Sequence, residues 1–232
     1  MNFEKDIEKL LGISLSLEQM DQFNVYYEFL VEYNKITNLT RITEKEEVFY
    51  KHFYDSITLA NTTDFYKVNS LCDMGAGAGF PSIPLKIVFP HLDITIVDSL
   101  GKRITFLNQL VEKLHLNNVS INHDRNEVFA LRHQLKYDVV TARALGHLSL
   151  ILEMGMPMLK LDGYFIAPKG ALCDQEINES MHALEVLGGK IVKVVRFDLP
   201  NDYGQRANIL ITKIKHTKGY PRTFAQMSHK AL

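Results

Sequence analysis

The chain has 232 residues, 46% hydrophobic and 23% charged, with a net charge of −1 at pH 7. That balance excludes a disordered chain and a uniformly basic nucleic-acid binder, and no apolar run reaches the ~20 residues of a membrane-spanning helix. The length suits one large α/β domain or two small ones, while Cys72 and Cys173 are too few for a disulfide framework and are not spaced as a metal site.

Charged and apolar residues alternate through residues 2–15 without the apolar centre of a signal peptide, so a cytoplasmic location is expected. Ser16-Leu-Glu-Gln19 has capping-box spacing, and Leu17, Met20, Phe23, Tyr27 and Leu30 recur at helical intervals, which predicts a helix to about Tyr33. Thr43-Glu-Lys-Glu46 repeats the box ahead of a second stripe containing Val48, Phe49, His52, Phe53 and Ile57. Residues 1–60 are therefore expected to form a helical extension, and residues 61–232 the main domain. From Val68 short β-branched runs alternate with helical stretches, the signature of a doubly wound, mostly parallel α/β sheet. Strands are expected near 68–73, 93–98, 118–122, 137–142, 163–168, 190–197 and 207–214, with helices near 82–89, 100–115, 146–160 and 173–187. Only residues 199–205 separate the last two strands, so the seventh is expected to enter antiparallel.

Charge is unevenly spread. Residues 1–60 hold six basic against eleven acidic side chains, and residues 201–232 hold six against one. Lys213, Lys215, Lys218, Arg222 and Lys230 interleave with Tyr220 and Phe224, the pattern of a phosphate- and base-contacting tail or of a solvated, frayed terminus.

Asp73-Met-Gly75-Ala-Gly77-Ala-Gly79-Phe80 follows the first strand and opens a helix, the context in which a glycine loop holds a nucleotide-type ligand. A dinucleotide fingerprint wants glycine where Phe80 stands, and the Asp73 carboxylate would repel a diphosphate. It suits the cationic methionine end of S-adenosylmethionine (AdoMet). Asp98 closes the second strand, where a carboxylate accepts ribose hydroxyls. The alternative is a tight turn with a helix-capping aspartate.

These residues resemble the bacterial 16S rRNA (guanine-N7)-methyltransferase family, also called glucose-inhibited division protein B. Asn34-Lys-Ile-Thr-Asn38-Leu39-Thr40, the helix with His52, Asp55 and Ser56, residues 73–85, Asp98-Ser99-Leu100-Gly101-Lys102-Arg103, Ala142-Arg143-Ala144 and Lys169-Gly170 look like its motifs in order, over most of the chain. The chain departs from the pattern at Tyr33, where the family usually has Trp, and at Ala225, Met227 and Ala231, which replace a Gly and prolines. The resemblance implies a Rossmann-like class I methyltransferase fold, AdoMet as cofactor, and 16S rRNA or the small ribosomal subunit as partner of a monomer. It also implies that Gly75 and Phe80 line the methionine and adenosine side, that Asn126 and Glu127 border the adenine, and that Arg143 reaches the active site. Each has a plainer alternative: an N-cap with a first-turn Glu for Asn126 and Glu127, and a buried ion pair with Asp138 or Asp124 for Arg143. Lys169, at the end of the fifth strand, either fixes the base or a phosphate, or sits in a solvated turn. Asn34 and Asn38, with Arg41 beyond them, are either RNA contacts or a helix C-cap with its following loop.

What is missing narrows the methyl acceptor. Thr141-Ala-Arg143-Ala stands where base-amino methyltransferases commonly carry Asn/Asp-Pro-Pro-aromatic, and neither cysteine is placed as a nucleophile for pyrimidine C5. Guanine N7 needs neither device, because its lone pair is free at neutral pH and positioning is most of the catalysis. The nine histidines show no metal-binding spacing, so no metal is expected. A small-molecule methyltransferase and a non-catalytic AdoMet-binding RNA chaperone are the competing expectations.

Overall fold

Ile94, Ile96, Val139, Val140, Ile209 and Ile211 are all buried, as β-branched residues are in a sheet covered on both faces. The computed structural model describes residues 2–232. Its strands are β1 (Ser70–Met74), β2 (Asp93–Asp98), β3 (Val119–His123), β4 (Tyr137–Thr141), β5 (Leu159–Gly170), β6 (Gly189–Asp198) and β7 (Gln205–Lys213). They form one sheet of order β3-β2-β1-β4-β5-β7-β6. Neighbours from β3 to β5 are parallel, and β7 lies antiparallel between β5 and β6, as the short 199–205 connection requires. The strand order reverses between β1 and β4, and the glycine loop lies at that switch point.

The helices are α1 (Phe3–Leu11), α2 (Leu17–Asn34), α3 (Lys45–Val48), a π-helical segment (Phe49–Tyr54) running into α4 (Asp55–Ile57), α5 (Ser82–Val88), α6 (Gly101–Lys113), α7 (Asn126–Arg132), α8 (Leu148–Gly155), α9 (Asp174–Glu179), α10 (Met181–Leu187) and α11 (Phe224–His229). The Ser16 box forms, with Gln19 N–H donating to Ser16 Oγ at 3.1 Å and Ser16 N–H to Gln19 Oε1 at 2.8 Å. The Thr43 box does not: α3 starts after Glu44 without a side-chain cap, and the Thr43 carbonyl accepts from the Tyr27 hydroxyl. Periodicity also misses α7 and α11, each too short to show more than one or two apolar repeats, whereas α1 carries Phe3, Ile7, Leu10 and Leu11 on one face. The helix expected over 146–160 ends at Gly155, where Pro157 follows and a Cβ would lie 2.3 Å from Phe165, so β5 starts earlier than the sequence suggests. The helix expected over 173–187 breaks at Ser180 into α9 and α10.

Residues 2–60 are mostly helical and share the core of the sheet layer. Phe23, Tyr26, Phe29 and Leu30 of α2 pack in one cluster with Ile83 of α5 and Phe106 of α6, and Gln19 Nε2 donates to the Ile87 carbonyl at 2.8 Å. The Tyr26 hydroxyl donates to Ala78 O at 2.5 Å, tying α2 directly to the glycine loop.

The basic tail is docked. Glu153 of α8 is 1% exposed and receives Arg222 through Nε (2.7 Å), Nη2 (2.6 Å) and the backbone N–H (3.0 Å). The Gln134 amide donates to Tyr220 O, Met227 is buried, and the Arg125 guanidinium lies over the Phe224 ring. Arg222, an RNA-contact candidate from its sequence position, is thus committed to an internal carboxylate. Lys213 is buried too, donating to the carbonyls of Met156, Pro157 and Leu159, and burial pushes its amine down to about 8.

Truncating one partner of a buried ion pair leaves the other charge stranded. Arg222→Ala should therefore lower unfolding free energy by about 3 kcal/mol in urea and expose the tail to protease, while adding Glu153→Leu restores most of that loss. A loss below about 0.5 kcal/mol for Arg222→Ala would mean that the pair does not hold the tail.

Candidate active site

The loop between β1 and α5 turns on three residues with positive φ, Gly75, Gly77 and Gly79. At Gly79 a Cβ would lie 2.8 Å from both Tyr26 Oη and Ile83, so the helix can cross the loop only because no side chain is there. At Gly77 a Cβ would meet nothing within 4 Å. That open space belongs to a cavity of about 200 Å³ lined by the loop, Leu39, Thr40, His52, Phe80, Arg103 and residues 143–145.

Two buried acceptors near the ends of β1 and β3 lack partners among the described residues. Asp73 is fully buried at the end of β1; its Oδ2 accepts from Ser82 N–H at 3.0 Å, and Oδ1 has no partner among the described residues. Burial raises its carboxyl to about 7, against the lowering effect of Ser82 and Arg143. Asn126 Oδ1 at the start of α7 is likewise buried without a partner, and Glu127 beside it accepts from Arg125 Nε at 2.6 Å. Asp98 is more committed than its sequence position implies: Oδ1 accepts from Leu100 N–H, and Oδ2 from Gly77 N–H and Arg103 Nη1, both at 3.2 Å. A glycine cradle with an orphaned carboxylate at one end and an orphaned amide oxygen fits AdoMet, which carries a cationic amino-acid end and an adenine amino donor.

Arg143, just beyond β4, makes neither of the pairings weighed for it. Asp138 accepts instead from Asn69 and Ser70 N–H and from Lys160, and Asp124 pairs with Arg132. Arg143 Nη1 donates to Asp55 Oδ2 at 3.1 Å, Nη2 donates to His52 Nδ1 at 3.2 Å, and its guanidinium lies 5.0 Å from the Phe80 ring centroid. A guanidinium can only donate, so His52 Nδ1 is the acceptor and Nε2–H donates to Thr40 Oγ1 at 2.8 Å. Burial and the Arg143 charge push the imidazole down to about 3, so His52 is neutral. Asp55 is also buried, which raises its carboxyl, while Arg143 and Arg206 pull it back.

Other sequence-singled residues have structural partners. Lys169 Nζ donates to Gly146 O (2.9 Å) and to Glu176 Oε1 (2.6 Å), which holds the 144–147 loop to β5 and α9. Asn34 is spent on its own loop: Oδ1 accepts from Leu39 and Thr40 N–H, and Nδ2 donates to Thr40 O. Asn38, Arg41, Lys218 and Lys230 are exposed. Asp55, named in the sequence only within a motif, and Arg206, which the sequence does not single out, both lie beside the Arg143 cluster. Gly170 pairs with Arg206 in the β5–β7 register, so the antiparallel strand delivers its first residues to the edge where parallel strands end. Among the described residues no three His, Cys, Asp or Glu side chains are grouped to hold a metal.

The fold is that of class I AdoMet methyltransferases. The chain superposes on the crystal structure of M. jannaschii TYW2 in complex with AdoMet with a TM-score of 0.55, at 16% identity, over 70% of this chain and 76% of that one. It also superposes on the crystal structure of a mutant of MtNAS with a TM-score of 0.56 at 16% identity, covering 91% of this chain and 82% of that one. At these identities the likeness is one of fold. Sequence similarity reaches further: the ribosomal RNA small subunit methyltransferase G of Acholeplasma laidlawii is 50% identical over 97% of this chain and 98% of its own length. That of Bacillus subtilis is 51% identical over 96% and 95%. The family described as GidB, rRNA small subunit methyltransferase G, matches residues 19–204, a stretch that spans the helix over the glycine loop, the loop itself and the Arg143 cluster. With relatives of half its sequence along nearly its whole length, the chain belongs to the rRNA small subunit methyltransferase G family.

Proposed function

We propose that this chain moves the methyl group of AdoMet to N7 of a guanine in small-subunit rRNA, acting as a monomer in the cytoplasm. AdoMet, when bound, supplies an electrophilic methyl on a sulfonium. The observation that carries the N7 reading is that His52, the imidazole beside Arg143, has both ring nitrogens engaged and none free to take a proton, while the neighbouring carboxylate serves as the counter-ion of Arg143. His52 Nδ1 is occupied by Arg143, Asp55 is held by Arg143 with Arg206 alongside, and Lys169 is paired with Glu176. Such a site suits an acceptor with no proton to lose.

Each residue then has a bounded task. Gly75, Gly77 and Gly79 let the backbone approach the cofactor, Asp73 offers its free oxygen to the ammonium, and Asn126 and Glu127 border the adenine, with Asp98 near the ribose. Phe80 packs against Tyr26 and His52 and gives Arg143 an apolar floor, so the guanidinium is aimed at the base and does not swing. Lys169 shapes the 144–147 loop. RNA contact falls to exposed Asn38 and Arg41 on one side and Lys218 and Lys230 on the other, with Asn34 and Arg222 shaping the segments that carry them.

Gly77→Ala places a methyl in space that is open in the free protein at a cost of about 1 kcal/mol for its left-handed backbone. Its melting point should therefore shift little, while AdoMet affinity in calorimetry falls more than about tenfold. Unchanged affinity would place the cofactor elsewhere.

Asp73 is protonated in the free protein below about 7 and then offers no charge to an ammonium. AdoMet affinity should thus fall by up to about tenfold per unit as pH drops from 7 to 5, and Asp73→Asn should be weak and flat over that range. The free fold should show the opposite trend. The carboxyl is raised above its ordinary 3.8, so the folded chain binds more protons than the unfolded one between these values, and stability declines as pH rises through that window.

Single-turnover methyl transfer at saturating AdoMet and rRNA should be independent of pH from about 7 to 9. Arg143→Ala should slow it by about a hundredfold, with Arg143→Lys recovering only part. A rate that follows a neutral-range base and loses that dependence in His52→Gln would overturn the assignment.

A further inference from the structure

A second cavity, of about 420 Å³, opens beside the cofactor cradle; Lys51, His52, Asp55, Arg143, Lys169 and Arg206 are among its lining, and His52, Arg143 and Ala144 are common to both. Along its wall the polar groups alternate in kind. Arg143 Nη1 donates to Asp55 Oδ2 at 3.1 Å, and Arg206 Nε lies 3.6 Å from Asp55 Oδ1, too far for a hydrogen bond. Oδ1 therefore keeps its accepting capacity, and the row offers a donor from Arg143 and then an acceptor from Asp55, with the Arg206 cation beside that carboxylate.

A guanine whose N7 faces the cofactor presents a matching row. O6 next to N7 accepts, and N1–H and the N2 amino group beyond it donate. Adenine in the same pose presents an amino donor toward Arg143 and the N1 acceptor toward Asp55, a mismatch at both places. A buried polar site discriminates well against a base that leaves its groups unpaired. The match between the two rows rests on the guanine-N7 reading and deepens it.

We propose that Asp55 is the guanine-specificity residue of this enzyme, accepting from N1–H and the N2 amino group while Arg143 donates to O6, with Arg206 positioning the carboxylate from its other side. The substrate is constrained as well. A guanine read along its Watson–Crick edge is not paired to another base, so the acceptor is an unpaired guanine or one drawn out of its pair.

The test compares two small-subunit rRNA transcripts carrying guanosine or inosine at the methylated position. Inosine keeps N7, O6 and N1–H and lacks only the N2 amino group. Wild-type kcat/KM should be lower by about tenfold or more for the inosine RNA. Asp55→Ala should be slower with both RNAs and use them equally to within about twofold, with AdoMet binding by calorimetry reporting that the variant is folded. If Asp55 only held Arg143 in place, both rates would fall with the preference intact, which overturns the proposal. Equal use of the two RNAs by the wild-type chain overturns it without any variant. A wild-type chain that forms no N7-methylguanosine on the guanosine RNA overturns the proposed function itself, a different result from loss of preference.

Discussion

A guanidinium stays charged at any pH a protein meets, so placing one in a mostly buried position commits everything around it. The Arg143 side chain is 17% exposed, and its charge is met by one carboxylate, one imidazole nitrogen and one aromatic face. Asp55 and His52 come from the 45–57 helical run and Phe80 from the glycine loop, while Arg143 itself extends from β4. Three separate stretches thereby have one relative position that satisfies the cation. Desolvation offsets much of the Coulomb attraction in such a pair, so it contributes little to stability against an apolar replacement, whereas removing one partner is costly. Its consequence is placement: an arginine whose donors are already aimed by fixed partners before any ligand arrives needs no reorganisation when one does.

Two departures from regular structure make that placement possible. The Phe49–Tyr54 segment is π-helical, so the angular spacing of His52 and Asp55 differs from that of an ordinary α-helix, and π-turns of this kind often occur at functional positions. The antiparallel entry of β7 then brings Arg206 beside Gly170, at an edge where a parallel strand would have placed its C-terminal end. The cavity wall is thus contributed by a helix from the first sixty residues and a strand from the last thirty.

This division explains what could be read from the amino-acid order. The sheet was legible because its strands are β-branched runs separated by helices, and the antiparallel hairpin because the 199–205 connection is too short for a crossover. The glycine loop is a run of consecutive residues and Asp98 ends the next strand, each with its own chemistry. Asp55 and Arg206 are 151 residues apart, on a helix and a strand, and only the packing of the 45–57 helical run against the end of the sheet joins them. Conversely, the Thr43 box satisfies the spacing rule yet Tyr27 takes its carbonyl and the helix starts later, and Asn34 has the composition of an RNA contact yet closes its own loop. A local pattern states which bonds are available to a residue. Tertiary neighbours decide which of them are made.

The same distinction governs charge. Residues 201–232 carry six cations against one anion, but phosphate affinity depends on cations that displace counterions at the surface. Lys213 is used up on three carbonyls inside the fold, and Arg222 on Glu153. Lys215, Lys218 and Lys230 remain exposed on this segment, while Asn38 and Arg41 stand exposed on the loop that borders the glycine-loop cavity through Leu39 and Thr40. An excess counted along the chain therefore overstates what an RNA would meet at the tail, and it misses the loop of the acidic N-terminal region, whose Leu39 and Thr40 line the glycine-loop cavity. For a protein with a net charge of −1, recognition of a polyanion is then a matter of where a few unpaired cations stand relative to one pocket.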